Sequence, residues 1–127
     1  MRSTFIVLGA VLAALGVGLG AFAAHGLQRL VEQNRFSAKD LETFRTAVQY
    51  QMIHALGLVL IGLLSHVRPS ALLTAAGWTM FVGILLFSGF LYAYVGTGVK
   101  LFAMPVPIGG VAFILAWLAV AAAGVRG

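Results

Sequence analysis

Cysteine is absent from this 127-residue chain, and charge nearly so: eight Lys and Arg and three Asp and Glu make up 9% of the residues. Without cysteine there are no disulfides, zinc–thiolate sites or thiol nucleophiles, although this carries no information on compartment. So little charge, against roughly a quarter of residues in soluble domains, excludes an ordinary solvated surface. The acids Glu32, Asp40 and Glu42 all fall in one stretch, so no apolar run holds a carboxylate for acid–base or metal chemistry. The basic excess does not indicate nucleic acid. Arg2, Arg29, Arg35, Lys39, Arg45, Arg68, Lys100 and Arg126 are scattered outside or at the rims of apolar runs, with no basic stripe interleaved with aromatics. Placed there, they set topology and meet anionic headgroups, so the expected partner is a lipid bilayer.

What is present is apolar: 61% of residues are hydrophobic and mean hydropathy is +1.05. Phe5 to Ala24 carries no charge over about twenty residues, enough at roughly 1.5 Å per residue for a hydrocarbon core of about 30 Å. A secretory signal is the rival reading, with Arg2 as its basic start and Ala21-Phe22-Ala23 as a small-residue site, but the run exceeds the usual signal core of roughly seven to fifteen residues. Four spans emerge, at about 4–25, 44–65, 71–94 and 107–125. They predict a single-domain, all-α integral membrane protein with four transmembrane helices in an up-down-up-down bundle.

The polar stretch from His25 to Arg45 is the one substantial loop. Leu27, Leu30 and Val31 at helical spacing, opposite Gln28, Arg29 and Glu32, predict a short amphipathic helix at the membrane interface. Ser37 and Asp40 form a capping-box-like start, so the second helix should begin in water near Ala38 and run to about Ser65. Ser70, after Arg68 and Pro69, is placed to cap the third helix, whose Tyr92 and Tyr94 sit where an aromatic belt is expected. Pro107 suits the first turn of the fourth. Gly9, Ala13, Gly16 and Gly20 form a small-residue stripe on the first helix, and Gly109, Ala112, Ala116, Ala119 and Ala123 another on the fourth; both are candidate faces for close packing or homo-oligomer contact.

Gln49-Tyr50-Gln51-Met52-Ile53-His54 places the densest polar chemistry inside a span, where unpaired polar groups are costly. His25 ends the first helix on the same side of the membrane, and Ser88 lies at similar depth on the third. His25, Gln49, Tyr50, Gln51, His54, Ser88, Tyr92 and Met104 are therefore expected to converge in the loop-side half of the bundle. Tyr50 with His54, Gln51 with His54, and Ser88 with Tyr92 are three or four residues apart and share helix faces. Such a cluster admits two main readings: a pocket for a small ligand or lipid headgroup, lined by His25, Gln51, His54, Ser88 and Tyr92, or interhelical glue in a structural or assembly module. No cofactor or metal is assigned, since two histidines and a methionine make a ligand set only if both imidazoles meet. A transporter or channel subunit ranks lower, with no charged relay or inverted repeat, and an enzyme last, with no nucleophile, base and orienter in sight.

Four segments in order carry a resemblance: Gly20-Ala21-Phe22-Ala23-Ala24-His25-Gly26-Leu27; Thr46-Ala47-Val48-Gln49-Tyr50-Gln51 with His54-Ala55-Leu56; Leu86-Phe87-Ser88-Gly89 with Leu91-Tyr92; and Pro105 with Pro107-Ile108-Gly109-Gly110. Together they resemble the bacterial YgdD-like family, domain of unknown function 423. The resemblance implies a four-helix inner-membrane protein without an established activity. It marks His25, Gln49, Tyr50, Gln51, His54, Ser88, Gly89, Pro107 and Gly110 as motif positions. Orientation divides the two lines of argument. Arg29, Arg35, Lys39, Arg45 and Lys100 outnumber Arg2, Arg68 and Arg126 and favour a cytoplasmic loop side, whereas relatives with a basic C-terminal tail favour cytoplasmic termini. The expectation adopted is termini inside.

Overall fold

The computed structural model describes residues 2–126; Gly127, the last residue of the tail Val125-Arg126-Gly127, lies outside them. Four helices are long and apolar enough to cross a membrane: α1 (Ser3–Glu32), α2 (Ala38–Val67), α3 (Ala71–Thr97) and α4, which follows the 3-10 turn Lys100–Ala103 and spans Val106–Arg126. α1 packs along α2, α2 along α3, and α3 along α4. This is the expected up-down-up-down bundle.

Local chemistry sets the helix ends. Ser37 accepts from the Asp40 amide and Asp40 accepts from the Ser37 amide, both at 3.0 Å, so the expected capping box opens α2 at Ala38. Ser70 opens α3 by accepting from the Leu72 amide at 3.1 Å. α3 ends at Gly98, whose φ of 72° is the left-handed conformation that glycine adopts without penalty. Pro107 falls in the first turn of α4, where its missing N–H costs nothing. The amphipathic segment is helical too, but Gln28–Glu32 continues α1 instead of forming a separate surface helix, and buried Leu27 ties it to Phe44 of α2.

The continuity of α1 depends on a π-turn at Ala23–Leu27, and α3 has a second at Leu85–Gly89. Each is one widened turn, and each packs against α2. They hold His25-Gly26 and Ser88-Gly89, so a polar residue followed by glycine sits in both.

The small-residue stripes are used within the chain. A Cβ on Gly9 would lie 2.6 Å from the Ala55 carbonyl oxygen of α2, and one on Gly109 would lie 2.5 Å from the Phe87 backbone nitrogen of α3. Without a hydrophobic drive between helices in lipid, this close approach contributes attraction alongside interhelical hydrogen bonds. At Gly9 and Gly109, one position of each stripe, the small residue thus meets a neighbouring helix of the same bundle. Two apolar clusters fill the interior. Phe5, Leu58, Ile61, Met80 and Phe113 belong to the larger, and Ala23, Leu27, Phe44 and Val95 form the one nearer the long loop. Along α2, Gln51 and His54 fall between them.

Candidate functional site

The polar layer resolves into two constellations on different sides of α2. On the first, Gln51 is 3% exposed and hydrogen-bonded through both its amide nitrogen and its amide oxygen. Its Nε2 donates to the Leu12 carbonyl oxygen of α1 at 2.8 Å, and its Oε1 accepts from the Tyr92 hydroxyl of α3. Ser88, buried in the π-turn of α3, donates to the Ala47 carbonyl oxygen of α2 at 2.7 Å. One glutamine therefore clamps three helices, because its amide presents a donor and an acceptor at once. A cavity of about 270 Å³ runs between α1 and α3, with Gln51, Ser88 and Tyr92 in its wall beside Leu15, Leu19 and Leu85. The polar groups facing it are already paired.

On the second, the His54 ring stacks on Phe113 of α4 with centroids 3.5 Å apart and planes 10° from parallel. Its Nδ1 lies 2.7 Å from the Tyr50 carbonyl oxygen. A carbonyl only accepts, so Nδ1 carries the proton, and Nε2 of the neutral ring is a lone-pair acceptor. Nε2 has no hydrogen-bond partner among the described residues, and neither does the Tyr50 hydroxyl. Since every fully buried side-chain polar atom described has a partner, Nε2 is open to a cavity. That cavity, about 480 Å³, is lined by Tyr50, His54, Phe87, Pro107, Gly110, Val111, Phe113, Ile114 and Trp117. It is a lateral cleft between α2 and α4 with the π-turn of α3 behind it. Val111 and Ile114 at its edge are 55% and 61% exposed and face the acyl chains of a surrounding bilayer. From Pro107 to Trp117, ten residues further along α4, the cleft extends roughly 15 Å, about half the hydrocarbon thickness.

The expected single pocket is therefore divided. Gln51, Ser88 and Tyr92 come together on one side, and Tyr50 and His54 on the other. The shared face expected for Gln51 and His54 is corrected by geometry, since a three-residue spacing turns about 60° around a helix, enough here to select different neighbours. His25 joins neither group: it is exposed in the π-turn of α1, without a side-chain hydrogen bond among the described residues. Gln49 is exposed on the outside of α2, and Met104 lies exposed in the loop before α4. Tyr92, expected as an interfacial anchor, turns inward to Gln51 and packs 5.0 Å from Phe44. Among the described residues, no three histidines or acids approach closely enough to hold a metal ion. Sequence reasoning missed Phe113 and Trp117, whose apolar side chains carry no signal apart from the fold.

Three of the four motif segments thus contribute to the constellations, and the family described as "Protein of unknown function (DUF423)" matches residues 19–110, which contain all four. The chain belongs to the DUF423 family. It is 45% identical over 123 residues to the UPF0382 membrane protein YwdK of Bacillus subtilis strain 168, covering 96% of each chain. It is 46% identical over 114 residues to the UPF0382 membrane protein SSP2132 of Staphylococcus saprophyticus, covering 90% of each. A UPF0382 membrane protein of Staphylococcus epidermidis is also 46% identical over 114 residues, 90% of this chain and 88% of that one. No solved structure matches the chain. Family membership and the four apolar helices make this a multi-pass membrane protein.

Proposed function

We propose that this DUF423 protein is an inner-membrane binding or accessory protein that takes a small membrane-dissolved ligand or lipid in the cleft between α2 and α4. The observation that carries the reading is the unpaired Nε2 of His54, a residue only 4% exposed, beside a cavity of about 480 Å³. An open acceptor facing an apolar phase has no hydrogen bond to make there, and a ligand that donates to it supplies one, worth about 0.5–1.5 kcal/mol net. No catalytic role is proposed, since the span interiors hold no carboxylate and the cleft no nucleophile hydrogen-bonded to a base.

Gly110 supplies the test. It lines the cleft, and a Cβ there would meet only Phe87 Cδ2, at 4.0 Å. Gly110→Phe should fill the cavity without disturbing the bundle. Native protein embedded in membranes containing a photoreactive diazirine-tailed lipid should give adducts on Val111, Ile114 and Trp117 that are competed by extracted lipid. Gly110→Phe should lose the competed adducts while its melting temperature holds within a few degrees. Equal, uncompeted labelling of both proteins would sink the reading.

A structural module is the second reading, favoured by the clamp of Gln51 on Leu12 and Tyr92. The orientation proposed keeps both termini in the cytoplasm; a C-terminal reporter active only outside the cytoplasm would reverse it.

A further inference from the structure

The chemistry of the cleft wall restricts what can occupy it. No Lys, Arg, Asp or Glu lines it, so neither a phosphate nor an ammonium finds a counter-charge there, and burying either ion unpaired costs several kcal/mol. Phospholipid headgroups are disfavoured on that ground. Two unpaired polar groups belong to residues of its wall: His54 Nε2, an acceptor because Nδ1 is committed to the Tyr50 carbonyl, and the Tyr50 hydroxyl, which can donate or accept. An occupant that satisfies Nε2 must bring a donor, and the Tyr50 hydroxyl can then answer a second oxygen on it. The walls are planar: Tyr50, His54, Phe87, Phe113 and Trp117 are five of the nine lining residues. Flat rings pack against such walls in offset or edge arrangements that a saturated chain does not reproduce. The volume, about 480 Å³, compares with roughly 150 Å³ for a cavity that takes one benzene ring, which leaves room for a substituted ring and the first carbons of a tail. The edge at Val111 and Ile114 opens to lipid, so the tail has a way out.

Resting on the cleft-binding reading above, we infer that the occupant is an uncharged phenolic lipid, a hydroquinone with an apolar tail, which donates its ring hydroxyl to His54 Nε2. The ring lies among Phe87, Phe113 and Trp117, and the tail leaves between α2 and α4. Binding involves no electron transfer to the protein, which contributes only these hydrogen-bonding groups, the ring walls and an uncharged surrounding.

Trp117 reports on the cleft directly. The chain has two tryptophans, and the other, Trp78, packs against Phe5 and Phe81 away from the cleft. The full-length Trp78→Phe protein in phosphatidylcholine nanodiscs therefore has a single emitter. A decyl-tailed benzohydroquinone should quench it saturably. The dimethyl ether of the same compound has identical rings and tail but no donor, and should bind roughly tenfold more weakly, the loss expected for one hydrogen bond. In Trp78→Phe/His54→Phe the two compounds should bind alike. The comparison between hydroquinone and ether needs no substitution at His54, so it stands even if that variant fails to fold. If the ether binds as tightly as the hydroquinone, hydroxyl recognition is overturned while cleft binding survives. Dioctanoylglycerol, a lipid alcohol without a ring, should compete weakly; competition as strong as by the hydroquinone overturns the phenolic assignment alone. Absence of saturable quenching by every compound, with Gly110→Phe indistinguishable from native, overturns both this inference and the cleft reading.

Discussion

Two lateral grooves flank α2, and they treat polar groups in opposite ways. In the groove between α1 and α3, Gln51, Ser88 and Tyr92 line the wall, but their hydrogen bonds end on Leu12, Ala47 and one another. In the cleft between α2 and α4, His54 spends one nitrogen on its own helix and leaves the other free, and the Tyr50 hydroxyl has no partner among the described residues. The first groove is finished by the protein. The second is not. Whole-residue burial does not separate them, since Gln51 is 3% and His54 4% exposed, although the His54 Nε2 atom itself is open to the cleft. What separates them is whether donors and acceptors balance within the fold.

Substitutions can break that contrast. The largest effect is expected where helices touch backbone to backbone: Gly109→Ala puts a Cβ 2.5 Å from the Phe87 nitrogen and should cost about 1–3 kcal/mol in a detergent unfolding titration, as overpacking does. It should also damage the cleft, which shares that wall. Next, Gln51→Leu removes the clamp and leaves the Tyr92 hydroxyl without its acceptor; a loss of about 1–2 kcal/mol is expected. Ligand binding in the cleft should survive it, and loss of binding at unchanged fold would show that the two grooves are coupled. Ser88→Ala deletes one interhelical bond and should cost about 0.6 kcal/mol in the same titration. Tyr50→Phe should change stability least, within about 0.5 kcal/mol, because no partner of its hydroxyl is lost. A cost above 1 kcal/mol there, against the roughly ±0.5 kcal/mol of a neutral substitution, would mean that the cleft side is also closed by the protein.

Much of the architecture was readable in advance for local reasons. The capping box at Ser37 and Asp40, the Ser70 cap and Pro107 in the first turn of α4 each depend on residues within one turn, so composition and spacing suffice. The polar layer was legible as well, because Gln51, His54 and Ser88 stand out in apolar runs. Its division was not. Spacing along α2 assigned Gln51 and His54 to one face, while the neighbours that α2 acquires on each side assign them to different grooves. The two π-turns escaped the same reasoning: a widened turn is set by how α1 and α3 must pass α2, and His25-Gly26 and Ser88-Gly89 are ordinary pairs until that passage is known.

By itself the sequence determined that this chain crosses a membrane four times, where its helices begin, and which short stretch of the second carries polar groups that lipid will not tolerate alone. These follow from transfer energies and helix-end chemistry, which act within a few residues. Only the tertiary structure decided that Gln51 is answered by α1 and α3 while His54 meets an aromatic wall from α4 with one nitrogen left over. Hydrogen-bond balance is a property of neighbours, and the neighbours exist only once the helices have packed.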